Sequence, residues 1–140
     1  PAWTYEGRTF SGDGNDFEDL SGTFGSLALD GAFSIAFTAC WRSLNNWSRI
    51  IDFGNGQADS NIFIGNKGKT GGFAFHIWIG KKEHTLHIAD AIRVNEVHRY
   101  LCSVSASGCM RVYRDGSLIG ERTISAAPAP CVRRRLYVGR

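Results

Sequence analysis

Helical periodicity is missing from this chain: no window of about 11 residues or more keeps an apolar stripe at a spacing of three and four. Long hydrophobic runs are missing too. Nothing approaches the roughly 20 consecutive apolar residues that a membrane-crossing helix needs, so no membrane span is expected. Strong charge of either sign is absent, since 16 Lys and Arg against 13 Asp and Glu leave only +3. That excess is too small to specify nucleic acid, and the basic residues are scattered apart from Arg133-Arg134-Arg135. The four cysteines, Cys40, Cys102, Cys109 and Cys131, form no C-x-x-C pair and no Cys/His set at zinc spacing. A domain of this size folds without bridges, so oxidation is permitted rather than required. The chain opens on Pro1-Ala2-Trp3 without the basic-then-apolar start of a secretory leader, as a processed chain or an excised piece would.

What the sequence does have is alternation. At 140 residues it can bury roughly 70% of its unfolded surface in one core. Phe33, Ile35, Phe37, Ala39 and Trp41 alternate with small residues, which reads as a long strand with one packed face. Phe73, Phe75, Ile77 and Ile79 share one face of a second strand, leaving Ala74, His76 and Trp78 on the other. The turn Gly80-Lys81-Lys82-Glu83-His84 then leads into Thr85-Leu86-His87-Ile88. Keeping the apolar sets together pairs Ile79 with Leu86 and Ile77 with Ile88, which sets Trp78 opposite His87 with His76 nearby. Tyr100, Cys102 and Val104 alternate in turn. Asp115-Gly116 between Met110-Arg111-Val112-Tyr113 and Leu118-Ile119 is a strong hairpin signal, and Leu136-Tyr137-Val138 is a further strand. Strands this closely spaced, with turns rich in Gly and Asn, predict an all-β, two-sheet antiparallel jelly-roll sandwich. No repeat or linker divides it, so residues 1–140 form a single domain.

Four ordered segments add a likeness: Phe10-Ser11-Gly12-Asp13-Gly14-Asn15-Asp16-Phe17; Phe33-Ser34-Ile35-Ala36-Phe37 leading to Trp41; Trp47-Ser48-Arg49-Ile50-Ile51-Asp52-Phe53-Gly54-Asn55-Gly56; and Arg111-Val112-Tyr113-Arg114-Asp115-Gly116 with Tyr137-Val138-Gly139-Arg140. In order and spacing the set resembles laminin G-like domains of the concanavalin A-like lectin/glucanase superfamily. The resemblance implies a jelly-roll module, usually extracellular, secreted or lumenal, that binds glycans or other proteins. Two departures stand out. The Trp-His pair that usually opens one strand reads Val97-His98 here, and the closing C-terminal strand expected after Tyr-Val-Gly-Arg is absent from the chain or supplied from outside it.

The superfamily includes glucanases, whose retaining chemistry needs two carboxyl groups about 5 Å apart in one cleft. No Glu-x-Asp-x-Glu run exists, and Asp13, Asp16, Glu18 and Asp19 lie among Gly and Asn in a loop; a divergent glycoside hydrolase is the third reading. Neither a Gly-x-Ser-x-Gly elbow nor a phosphate-cradling loop is present. In WSRIIDFGNGQADSNIFIG, Gly and Asn are explained by turning alone. Asp52, Asn55, Gln57, Asp59 and Asn61 still offer the hard oxygen donors that calcium prefers, and some laminin G-like domains bind calcium on a loop rim. Asp52 otherwise accepts bonds from Ser48, Arg49 or nearby amides. Trp78 with His76 and His87 makes a candidate platform for stacking on sugar, with Asn55 a further ligand candidate; packing of that face under a loop is the alternative. Arg133 and Arg135, on one side by alternation, offer a two-residue grip on sulfated glycan or an acidic partner, or simply a solvated edge. Cys102 and Cys109 flank one loop on adjoining strands, which leaves Cys40 with Cys131, one of three connectivities open to four cysteines. The sequence thus reads as a non-catalytic module for glycan or protein. The alternative is a structural or interaction subunit of a larger assembly that completes its sheet.

Overall fold

The structure is a computed structural model that describes residues 7–126 and 128–140. In chain order its elements are β1 (Glu18–Asp19), α1 (Ser21–Phe24), β2 (Leu27–Asp30), β3 (Phe33–Cys40), β4 (Arg49–Gly54), β5 (Ile62–Asn66) and β6 (Phe73–Ile79), followed by β7 (Lys82–Ile88), β8 (Val97–Val104), β9 (Cys109–Arg114), β10 (Ser117–Thr123), β11 (Pro130–Arg133) and β12 (Arg135–Val138). A six-stranded sheet runs β1-β12-β4-β5-β6-β7, a four-stranded sheet β10-β9-β8-β3, and β11 pairs with β2 in a small ribbon. Every pairing is antiparallel. The expected all-β sandwich is the fold. Among the described residues no helix is long and apolar enough to cross a membrane.

Alternation fills the space between the two larger sheets. The six-stranded sheet sends in Ile51, Phe53, Ile62, Ile64, Phe73, Phe75, Ile77, Leu86 and Leu136, all buried. Facing them are buried Phe33, Tyr100, Cys102, Val104, Met110 and Val112, with Ile35 and Phe37 partly buried against the same core. The layers interlock through aromatic rings: Tyr100 stacks on Phe73 at 5.2 Å and on Phe37 at 5.4 Å, and Trp41 meets Tyr100 edge-on at 5.8 Å. At roughly 1.5–3 kcal/mol for each large side chain buried, this core is the main term opposing chain entropy.

Asp115 and Gly116 both have positive φ, 50° and 85°, and join β9 to β10 as the Asp-Gly signal requires. The hairpin β6–β7 departs from expectation. Ile79 pairs with Lys82 rather than Leu86, and Ile77 with His84 rather than Ile88, a shift of 86 − 82 = 4 positions. Gly80, at φ 62°, lets the chain reverse over Gly80-Lys81 alone, so the residues expected in a longer turn extend the ladder instead. An even shift preserves the faces, because side chains repeat every two residues. His76, Trp78 and His87 still share one side, although Trp78 now faces Glu83 and His87 faces Ala74.

All four cysteines are free thiols. Cys102 points into the core opposite Val112, whereas Cys109 lies three residues from Val112 along β9, about 10 Å away on the other face of the pleat. Cys40 ends β3, while Cys131 is two residues from Arg133, whose guanidinium lies by Phe33 at the start of β3, so roughly 20 Å separates that pair as well. Neither expected bridge can close.

The Arg133-Arg134-Arg135 run is a crossing between sheets rather than one edge strand. Arg133 ends β11 and Arg135 begins β12, so alternation does not carry through and the two make no shared grip. Arg133 is buried and Arg135 exposed.

Candidate functional site

The outer face of the six-stranded sheet gathers most of the unspent chemistry. It begins with a bulge. Arg49 pairs with Gly65 and Ile51 with Ile64, which leaves Ile50 as an extra residue in β4 and turns Arg49 to the outer face beside Asp52. Arg49 and Asp52 would lie on opposite sides of a regular strand. Here the Arg49 Nη1 donates to Asp52 Oδ2 at 2.6 Å, and Arg140 approaches the same oxygen at 3.4 Å. The buried Asp52 carboxylate is therefore satisfied by two cations.

Ahead of the bulge, the loop at residues 45–48 is laid across β5. Fully buried Asn66 staples it: the Asn66 side-chain amide donates to the carbonyls of Asn45 and Gly68, both at 2.7 Å, and its oxygen accepts from the Ser48 hydroxyl. Gly65 permits the crossing, since a Cβ there would lie 2.2 Å from the Ser48 carbonyl. Trp47 is driven into the left-handed region at φ 56°, where a bulky residue persists only if its surroundings over-determine it. Its backbone N–H donates to Gly68 at 2.9 Å.

The Trp47 ring consequently sits over the sheet, 6.0 Å from Phe63, 5.8 Å from His76 and 6.4 Å from His87. Trp78 stands beside His76 at 5.9 Å. Nothing in the strand pattern pointed to Trp47 as part of this face. The signal that could have found it is the Asn-Asn-Trp-Ser stretch, whose polar flanks ahead of a strand suit an unusual backbone.

The imidazoles form a directed chain. His76 Nδ1 lies 2.8 Å from Glu83 Oε1, and His76 Nε2 lies 2.7 Å from His87 Nε2. A carboxylate accepts only, so Nδ1 of neutral His76 carries the proton, Nε2 is the acceptor, and His87 donates from Nε2. Burial, then the neighbouring His87, pulls His76 down to about 4, so it stays neutral at pH 7. Burial and then Lys67 also lower His87, with Glu83 opposing them. Exposed His87 and half-buried Trp47 and Trp78 offer flat rings and a free ring nitrogen to solvent, while Phe63 and His76 support them from beneath. Such a surface can stack on the apolar face of a ring and bond its hydroxyls.

The loop read chiefly as a turn, with a calcium rim as the lesser alternative, has its oxygens engaged within the fold. Asn55 donates to the Val132 carbonyl at 2.8 Å and accepts from the Arg134 N–H at 3.0 Å, which fastens the β11–β12 crossing. Asn61 accepts from the Asp59 N–H at 3.3 Å and covers Gly54. With Asp52 neutralised by arginines and the Asn55 oxygen already accepting, these donors do not fit calcium as they stand. No group of three His, Cys, Asp or Glu able to hold a metal occurs among the described residues.

The acidic cluster is equally committed. Asp13 accepts from the Asn15 N–H at 2.8 Å and the Ser11 hydroxyl at 2.7 Å, and these bonds lower its pKa. Asp16 is lowered by Arg8 and by the Ser11 N–H. A general acid needs its pKa raised, so both are tuned against that role.

A family model described as the concanavalin A-like lectin/glucanases superfamily, laminin G type, matches residues 12–140. No curated protein matches the chain. Among solved structures, the chain is similar to the CBM40 module of a Ruminococcus gnavus IT-sialidase bound to α2,3-sialyllactose, at 16% identity and TM-score 0.66, over 79% of this chain and 64% of that one. It is also similar to the mouse laminin α1 LG4-5 domains, at 16% identity and TM-score 0.60, over 81% and 30%. A third is the binding domain of botulinum neurotoxin DC in complex with SialylT, at 17% and 0.58, over 77% and 27%. The chain spans less than two thirds of each of these.

Proposed function

Since the chain belongs to the laminin G-like family of the concanavalin A-like lectin/glucanase superfamily, we propose that it is a single-domain, extracellular, non-catalytic module that binds glycan on the outer face of its six-stranded sheet. One observation carries the reading: Trp47 is held at positive φ over the His76–His87 pair, with Trp78 alongside. A strained tryptophan half-open to solvent contributes less to stability than a buried one would. A ligand that stacks on the ring would account for that placement. In this reading Trp47 and Trp78 take the apolar faces of sugar rings, and His87 with Glu83 bonds their hydroxyls.

Non-catalysis is supported by the acids. Asp13 and Asp16 are spent on their own loop, and Asp52 is paired with two arginines. The fold neighbours add support, because a CBM40 module bound to sialyllactose and a toxin binding domain in complex with SialylT share this architecture.

A glycan array probed with the whole chain, followed by calorimetric titration of the best hit, tests the reading. Trp78→Ala and Trp47→Ala should each weaken binding by about 1–3 kcal/mol, the scale of losing an aromatic anchor. Trp78→Ala should leave the urea midpoint in place. An array without hits would give this face to a protein neighbour instead, and a large stability loss for Trp78→Ala would make that ring part of the core.

A further inference from the structure

A second patch of unspent chemistry lies at one end of the sandwich, where β11 hands over to β12. The crossing at Arg134 is pinned from both sides, its N–H donating to the Gly54 carbonyl at 3.2 Å and to the Asn55 side-chain oxygen at 3.0 Å. That fixes Arg133 inward, where the residue is only 5% exposed. Its Nε donates to the Ser60 carbonyl at 2.7 Å, and its guanidinium carbon lies 5.9 Å from the centre of the Phe33 ring. There the compensation stops. Nη1 is fully buried without a hydrogen-bond partner among the described residues, and no ion pair among them includes Arg133.

An arginine stays charged even where burial lowers its pKa, as it does here. A buried cation without a counter-ion carries a desolvation penalty that an anion would relieve. Arg133 also lines a cavity of about 200 Å³ whose other walls include Phe33, Ile77, Trp78, Ile79, Pro128 and Pro130. The lining holds no second cation.

We propose that this cavity is a carboxylate-binding site for an anion carried on a small, largely apolar body about the size of one ring. The shape of the anion follows from the walls. A planar carboxylate can lie against the part of the guanidinium that borders the cavity, and its charge offsets the uncompensated Nη1 side as well. Besides Arg133, the Ser60 hydroxyl is the main side-chain donor in the lining, so the further oxygens of sulfate or phosphate would lie mostly against Phe33, the prolines and the isoleucines. The site is separate from the glycan reading of the outer face and does not rest on it, although Trp78 borders both.

The test uses the whole chain and sodium benzoate as probe, with benzamide and sodium sulfate at matched ionic strength as controls. Benzoate should raise the melting temperature saturably and shift the Arg133 Nε–H and Trp78 indole resonances, and neither control should do so. Arg133→Met, which keeps most of the apolar stem and removes the charge, should weaken benzoate binding at least tenfold. Because that variant could lose stability, Ala129→Leu serves beside it: Ala129 is exposed on the cavity rim, and the larger side chain should block entry with the arginine intact. Sodium glucuronate tests the body of the ligand. Shifts with benzoate and none with glucuronate support a carboxylate on an apolar body, whereas glucuronate binding as well as benzoate would overturn that reading of the walls. The proposal is overturned if benzoate gives no shift at tens of millimolar, if sulfate matches it, or if its shifts survive in both variants.

Discussion

Acidification should cost this fold stability through one identifiable place, the His76–His87 pair. Burial and then His87 hold His76 down to about 4 in the fold, against an ordinary imidazole value of 6.5. Between those values the unfolded chain holds a proton that the folded chain does not. Stability from this group is therefore complete above pH 6.5, declines as pH falls through the window and is gone by about pH 4. The ceiling is 6.5 − 4 = 2.5 units, or about 3.4 kcal/mol at 1.36 kcal/mol per unit. Two features of the site reduce it. The Glu83 carboxylate, 2.8 Å from Nδ1, favours the charged imidazole, and the partner His87 is open to water. A loss of roughly 2 kcal/mol is expected after that discount.

Urea unfolding of the wild type and His76→Gln at pH 7.5, 6, 5 and 4 isolates the effect. Other groups move with pH as well: His98 is raised by Glu96 and Asp115, and His84 is lowered chiefly by burial. Both are present in each protein, and their contributions cancel in the difference. The wild type should lose roughly 2 kcal/mol more than the variant between pH 7.5 and 4. A difference that stays constant across the series would refute the assignment of His76 as a buried neutral acceptor.

Gly65→Ala would place a methyl group 2.2 Å from the Ser48 carbonyl. It should destabilise the chain by about 1–3 kcal/mol and alter Trp47 fluorescence, because the loop must lift off β5; an unaltered spectrum and midpoint would show that the loop does not lie across Gly65. Calcium and chelator should leave the melting temperature where it is, since Asp52 and Asn55 already have partners. A saturable rise abolished by Asp59→Ala would show that the loop rearranges to bind the ion. Thiol titration of the unfolded, unreduced chain should count four thiols. In the native state exposed Cys40 should react quickly and Cys102 scarcely at all, burial having pushed its pKa up strongly; fewer than four in the unfolded chain would mean that a bridge forms after all.

Which side of the sheet the residues of β6 and β7 face was settled by the sequence alone. Phe73, Phe75 and Ile77 point inward and His76 and Trp78 outward in any register that keeps the apolar set buried, so a shift of four positions left the candidate face in place. The Asp115-Gly116 turn was equally legible, because few dipeptides accept two positive φ angles cheaply. Everything that depends on where one segment crosses another was decided by the tertiary structure. Trp47 joins His76 and His87 only because Asn66 and Gly65 hold a distant loop over β5, and Arg49 reaches Asp52 only through the bulge at Ile50. Arg133 and Arg135 alternate on paper as residues of one strand, yet the chain changes sheets at Arg134, burying one and leaving the other in water. Alternation is a local property of the backbone and can be read residue by residue. A crossing is fixed by packing between residues far apart in sequence, and the pattern along one strand holds no record of it.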